Sequence, residues 1–377
     1  MAAPAFIRRT AISPRQTSPI SVVRPYHRNG RDALPAAPST HCRPHPVRIA
    51  HLAAAPNFAL VPGQDNPIVT AHRMRPEDTL TLDDIATWSE PGTHLAVLGH
   101  PVKHSLSPHM HNAALRAMAG QDARFASWRY WKCDVPPERL GAALALLHEK
   151  SFAGLNLTVP HKVLALDLIH RVDAPARAIG AVNTLRRTPA GYEGFNTDGY
   201  GLATGIAQEL GVTLAGADVI LLGAGGAARS AAVECLSRHC RSLWVGNRSR
   251  GSLDALLDQV RPLAGDAVVR GFLLAAPPPD LPAGALLINA TSSGLRADEP
   301  PPIDLARWPR PTCVFDMIYN PPRPPLLQAA SALGIRHANG LAMLVHQGAR
   351  ALALWTDAAV PAEEMHRAAA AELNRTS

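Results

Sequence analysis

The sequence predicts an α/β protein of two domains closed by helices that return to the first. Three observations predict it. From residue 94 onward short apolar segments alternate with amphipathic helical stretches. A glycine-rich turn at residues 223–227 lies between a strand signal and a helix signal. Two helical segments beyond residue 339 have no obvious place in a second open sheet. At 377 residues the chain exceeds one ordinary core, so two domains are expected.

Residues 1–90 read as a disordered, basic, Pro- and Arg-rich extension. Up to Arg73 there are nine Arg, no Lys and two acids, Asp32 and Asp65, a net of +7. The whole chain carries 37 basic and 30 acidic residues, so the remainder has 28 of each and is neutral. A stretch this poor in apolar periodicity cannot bury enough surface to offset its ordering entropy. Its composition resembles an organellar import signal without a clear amphipathic helix. It is equally an extension preceding a functional start at Met74, and a basic arm for nucleic acid is a third reading. The neutral remainder argues against a nucleic-acid partner. No run of about 18 apolar residues occurs, so no membrane span is expected. The five cysteines are scattered, with no CxxC, which suits a reducing cytoplasmic setting without structural zinc.

The folded body is expected to open near Thr93, with an apolar strand at residues 94–98. Ser107 and Pro108 then read as N-cap and first residue of a helix whose apolar side is Met110, Ala114, Leu115 and Met118. Ser105 and Ser107 thus gather at a helix N-terminus, where free amides favour an anion such as a carboxylate; the plain alternative for Ser107 is a cap alone. His100, His104, His109 and His111 suggest a metal, but His109 and His111, two apart on a helix, do not face each other, and no metal is expected.

A strand at residues 128–135 and a helix at 138–148 lead to Asn156-Leu157-Thr158-Val159-Pro160-His161-Lys162. Here alternation of Leu155, Leu157 and Val159 with Asn156 and Thr158 predicts a short strand. Pro160 suits the first turn of a helix running through Val163, Leu164 and Ile169. Lys162 is delivered at the mouth of that turn, near the Thr158 hydroxyl and the Asn156 amide, where it can be stripped of water and pass protons. Asn183 and Asp198 follow at 179–185 and 191–199. Each reads as a turn residue or cap by itself; together, a carboxylate near Lys162 would hold the ammonium, and both could grip hydroxyls of a polyol.

The second domain opens with an apolar strand at 218–222, the turn Gly223-Ala224-Gly225-Gly226-Ala227-Ala228 and a helix from Arg229. Glycines there let the backbone approach a pyrophosphate, and the helix N-terminus receives its charge. The third glycine of the usual pattern is Ala228, still small enough for close helix-to-strand packing. After the next strand stand Asn247, Arg248, Ser249 and Arg250 rather than an acid, which favours a 2′-phosphate and hence NADP over NAD. Further strands are expected at 267–272, 286–289 and 313–317, with Thr291 to Gly294 and Tyr319 just beyond strand ends. Helices are expected at 340–355, carrying Gln347, and at 362–373. The layout is therefore an αβα substrate domain at 91–199, a Rossmann-type NADP-binding domain at 200–338, and C-terminal helices at 339–377 packing back on the first domain.

This set of motifs, PVKHSLSP, NLTVPHK, GAVNT, NTDG, GAGGAAR, NRS, NATSSG, DMIY and GLAMLVHQ, occurs in one order over residues 94–373. In that order it resembles the shikimate dehydrogenase (shikimate/quinate dehydrogenase) family. The resemblance implies reversible NADP-dependent interconversion of 3-dehydroshikimate and shikimate, a step of chorismate and aromatic amino-acid biosynthesis. It implies that Ser105, Ser107 and Tyr319 hold the ring carboxylate, and that Thr158, Asn183 and Gln347 bind hydroxyls or orient the ring. Lys162 and Asp198 would be the catalytic pair, and both would touch substrate. Gly223, Ala224, Gly225, Gly226, Ala227, Asn247, Arg248, Ser249, Met317 and Gly340 would surround NADP. Arg250 is followed by Gly251 and Ser252, where the family often has further basic residues, and the leader has no counterpart. The expected partner is a small molecule, in a monomer or homodimer. Quinate dehydrogenase, a catalytically silent ligand sensor and a nucleic-acid-binding tail stand as alternatives.

Overall fold

The structure is a computed structural model that describes residue 75 and residues 78–376, apart from 297–298. The extension up to residue 74 lies outside the described residues. Order begins earlier than the sequence suggests. Strand β1 (Thr79–Leu80) is a member of the first sheet and helix α1 (Leu82–Ala86) packs in the core beside it, so residues 79–90 are not a disordered extension. Thr81 starts α1 with a reciprocal capping box to Asp84. Leu80, Ile85 and Trp88 are buried, which supplies the apolar area that the Pro- and Arg-rich stretch before them lacks.

The first sheet has seven strands in the order β1-β3-β2-β4-β6-β7-β5. The others are β2 (Thr93–Gly99), β3 (Trp128–Asp134), β4 (Gly154–Leu157), β5 (Arg171–Val172), β6 (Thr184–Thr188) and β7 (Gly191–Phe195). β1, β3, β2 and β4 are parallel neighbours, whereas β6 runs antiparallel to both β4 and β7. The pleat of β2 separates two cores. Ala96 and Leu98 face a cluster with α1 and α3 (Leu140–Glu149), while Leu95 and Val97 face another with α2 (Ser107–Ala119). Two shorter helices, α4 (His161–Leu164) and α5 (Ala174–Ile179), lie between later strands.

The second sheet is wholly parallel, in the order β10-β9-β8-β11-β12-β13. Its strands are β8 (Asp218–Leu222), β9 (Ser242–Asn247), β10 (Val268–Leu273), β11 (Leu286–Asn289), β12 (Cys313–Asp316) and β13 (Arg336–Ala338). The order reverses direction between β8 and β11, the place where open sheets of this kind bind ligands at their carboxyl ends. Val219 and Leu221 pack against α6 (Asp198–Leu210), α7 (Gly226–Ser237) and α8 (Arg250–Val260). Ile220 and Leu222 pack on the other face, against α9 (Pro325–Ala332).

Helices α10 (Leu341–Thr356) and α11 (Ala362–Thr376) then return to the first sheet. Val345, Leu352, Met365, Ala369 and Leu373 share one core with Leu95, Met110 and Tyr130. On its other side α10 lies close against α6. A Cβ added at Gly201 would fall 2.6 Å from the Met343 carbonyl oxygen, and one at Gly205 would fall 2.9 Å from the Met343 nitrogen.

Two local expectations differ from the structure. The helix after Pro160 is a single turn followed by a 3₁₀ turn at Ala165–Asp167, and Val163 and Leu164 face outward, so a longer amphipathic helix does not form there. Ser107 is the first residue of α2 rather than its cap. The N-cap position is Leu106, and the Ser105 hydroxyl just before it accepts from the Ser107 N–H at 3.3 Å.

Candidate active site

Four elements deliver the side chains around Lys162. The end of β4 carries Asn156, and the tight turn after it is pinned by the Thr158 N–H donating to the Leu98 carbonyl. His161 is fully buried, and its Nε2 lies 2.8 Å from the Val135 carbonyl, which fixes that nitrogen as the protonated one. Burial lowers the His161 pKa, so the ring stays neutral. Lys162 is anchored on its other side, where its carbonyl accepts from the Val182 N–H at 2.8 Å.

From there the Lys162 Nζ reaches Asp198, the first residue of α6, at 2.6 Å to Oδ2. The second Asp198 oxygen accepts from the Asn183 Nδ2 at 2.8 Å. Asn183 also faces the Gln347 Oε1 at 3.2 Å and the Thr197 hydroxyl at 2.9 Å. Its own oxygen accepts from the Thr197 N–H and the Thr184 hydroxyl. Chain segments more than 150 residues apart thus meet at one carboxamide, Gln347 arriving on α10.

These groups line a cavity of about 370 Å³. Ser105, Ser107, Thr158, Lys162, Asn183, Asp198, Tyr319 and Gln347 all contribute to its wall, together with Asn156, Gly340 and Met317. A larger cavity, about 740 Å³, adjoins it, and His104, Thr158, Ala227, Met317 and Tyr319 line both. Gly223, Ala224, Gly225, Gly226, Ala227, Asn247 and Arg248 line the larger one. Ser249 lines neither, and its carbonyl instead accepts from the Asn247 side-chain amide at 2.9 Å. Arg250 also lies outside both, at the start of α8 beside Asp254.

The larger cavity has the form of a phosphate cradle. Gly223 sits at φ +113°, and a Cβ there would lie 2.9 Å from the Ala290 carbonyl oxygen. At Gly225 and Gly226 an added Cβ would meet nothing within 4 Å; it would project into open space that a ligand can use. Helix α7 begins there with no side-chain cap, so its first N–H groups remain available for an anion. Ala228 is fully buried against the sheet, as close packing of that helix requires. Gly340 lets two segments touch across the junction, since a Cβ would fall 2.1 Å from the Met317 carbonyl. Beneath the same loop Asp316 is fully buried. Its Oδ1 accepts from the Asn289 amide and the Ile318 N–H, and burial pushes its pKa up to about 6.

Several contributors were not singled out from the sequence. Thr197 lies inside NTDG and reads as a turn residue, although it holds Asn183 from two sides. Asn196 accepts from the Asp198 N–H at 3.0 Å. Tyr130 stands between Arg129 and Trp131 in a strand of mixed character, where a buried aromatic residue reads as core.

Comparison with known proteins agrees with this arrangement. The family described as shikimate dehydrogenase substrate binding domain matches residues 97–185, and shikimate 5'-dehydrogenase C-terminal domain matches residues 340–370. The shikimate dehydrogenase (NADP(+)) of Geobacter metallireducens is 40% identical over 288 residues, covering 74% of this chain and 97% of its own. A crystal structure of shikimate 5-dehydrogenase from Thermus thermophilus, in complex with NADP(H) and shikimate, is 34% identical with a TM-score of 0.65. The match covers 74% of this chain and 99% of that one. Quinate dehydrogenase from Corynebacterium glutamicum, in complex with NAD, is 27% identical with a TM-score of 0.64, over 74% of this chain and 98% of that one. Likeness over nearly the whole length of such relatives, with the motifs converging on one cleft, makes the chain a member of the shikimate dehydrogenase family.

Proposed function

We propose that the protein is an NADP-dependent shikimate dehydrogenase, which reduces 3-dehydroshikimate to shikimate and runs the reaction in reverse. The observation that carries this reading is the Lys162–Asp198 pair at 2.6 Å, in a cavity continuous with the glycine cradle. NADP would be held by residues 223–227 at its pyrophosphate and by Asn247 and Arg248 at its 2′-phosphate, with Met317 and Gly340 near the junction of the cavities. When bound it supplies the hydride.

Lys162, as an ammonium, donates to the substrate carbonyl oxygen and stabilises the charge that develops there, then yields its proton. In the oxidative direction the neutral amine accepts the hydroxyl proton. Asp198 holds the Lys162 head in place with one oxygen and is itself oriented by Asn183 through the other. Asn183, Thr158 and Gln347 offer donors and acceptors to ring hydroxyls. Ser105 and Ser107 at the start of α2, with Tyr319 opposite, suit a carboxylate. The partner is thus a small hydroxylated acid, in the shikimate pathway. Cytoplasmic placement belongs to the same reading, supported by four buried cysteines that are all free thiols.

The decisive assay follows nicotinamide absorbance with purified protein and shikimate or quinate, each with NADP or NAD. Shikimate with NADP should be turned over fastest. Preference for quinate would reassign the substrate, and no reduction with any pairing would refute the reading.

A further inference from the structure

The two ends of the candidate substrate pocket are joined behind it by one side chain. Tyr130, on β3, is fully buried and lines neither cavity. Its backbone N–H and carbonyl are both engaged by the Asn112 side chain of α2, at 2.9 and 2.8 Å, and its ring stacks on His111 at 4.0 Å between centroids. Its hydroxyl donates to the Asn156 Oδ1 at 2.7 Å.

Asn156 uses its amide hydrogens on the Asn183 carbonyl at 3.0 Å and the Thr184 hydroxyl at 3.1 Å, so its oxygen faces Tyr130 and can only accept. Thr184, having accepted from Asn156, sends its own proton to the Asn183 Oδ1 at 3.0 Å. The Thr197 N–H, which can only donate, meets the same oxygen at 2.8 Å, so Asn183 turns its NH₂ toward Asp198. The remaining Asp198 oxygen is left for Lys162.

We propose that Tyr130 is a positioning residue for the reaction. Its hydroxyl holds the Asn156 oxygen, and Asn156 in turn braces Asn183, whose amide orients Asp198 toward Lys162, through the Asn183 carbonyl and the Thr184 hydroxyl. This assignment rests on the catalytic reading above. Burial holds the phenol far above its ordinary pKa, so its proton stays on the ring oxygen across the working range. Loss of that hydroxyl leaves the Asn156 oxygen buried without a donor and so loosens the brace on Asn183, while the Thr197 N–H still fixes the direction of the Asn183 amide.

The experiment compares Tyr130→Phe, Thr184→Val and the double variant with the wild type, measuring kcat and KM for shikimate. Tyr130→Phe keeps the ring that stacks on His111 and removes only the hydroxyl. It should lower kcat about tenfold while KM shifts less than about threefold. Thr184→Val cuts the same chain one link further on, so the double variant should lose no more than the worse single variant. Wild-type kcat in Tyr130→Phe overturns the assignment, and so do losses that multiply in the double variant. Failure of the catalytic reading looks different: the wild type itself then reduces no nicotinamide, and the Tyr130 assignment falls with it.

Discussion

In the proposed reaction Lys162 is the proton donor and Asp198 its anchor. Lys162→Ala would remove that donor, so kcat should fall about 10²–10⁴-fold with a smaller change in KM, read by steady-state kinetics. In the same proposal Arg248 acts on cofactor choice. Arg248→Ala should raise KM for NADP about tenfold or more, the loss of a charge-assisted contact of roughly 1.5–3 kcal/mol, and leave KM for NAD nearly unchanged. Two buried groups outside the chemistry oppose each other in acid. Burial lowers the His111 pKa from 6.5 to about 4, so the neutral ring contributes stability that is complete above pH 6.5 and is lost as pH falls toward 4. Asp316 has its pKa raised from 3.8 to about 6, so the native state gains stability as pH falls from 6 toward 3.8. Each amounts to about 3 kcal/mol, with opposite sign. Asp316→Asn removes the gain and leaves the loss. Thermal midpoints of that variant should therefore drop more steeply between pH 7 and 4.5 than those of the wild type; parallel curves would contradict the opposition.

At the level of elements, the most extensive contact among the described residues is that of α6 with α10, made possible by Gly201 and Gly205. Gly201→Ala would place a methyl 2.6 Å from the Met343 carbonyl oxygen and 2.7 Å from the Gln347 Cβ. Separation of the helices should cost about 1–3 kcal/mol and also displace Gln347, so a lower unfolding midpoint should accompany a higher KM for shikimate. Elements with strong local signals were legible in the sequence. The turn at 223–227 between β8 and α7 is one, because glycines, strand and helix all lie within a dozen residues. Lys162, Asn183 and Asp198 were legible as a set because each stands at a strand or helix end, where polar side chains meet a cavity. What escaped has physical reasons too. Strand β1 is two residues long, paired only through the distant β3, and no periodicity exists over two residues. Tyr130 and Asn156 meet across 26 positions from two different strands, and an aromatic residue within a strand reads as core. Val163 and Leu164 mimic an inward helix face although the helix ends after one turn.

For the molecule as a whole, the segment before β2 carries structural weight out of proportion to its signal. Leu80, Ile85 and Trp88 fill the core beside α3, each contributing about 1.5–3 kcal/mol by burial. A chain starting at Met74 should match the full-length protein in turnover and urea midpoint. One starting at Glu90 should unfold at markedly lower urea; equal midpoints would show that β1 and α1 are dispensable. The other end of the chain matters for a different reason. Because α10 brings Gln347 to the Asn183–Asp198 cluster only after the second sheet is complete, the ribosome must finish nearly the entire message before the pocket can close. A nascent chain halted near residue 339 would hold a finished nucleotide fold beside half a catalytic cleft. Premature release would then yield a protein that sequesters coenzyme without turning it over.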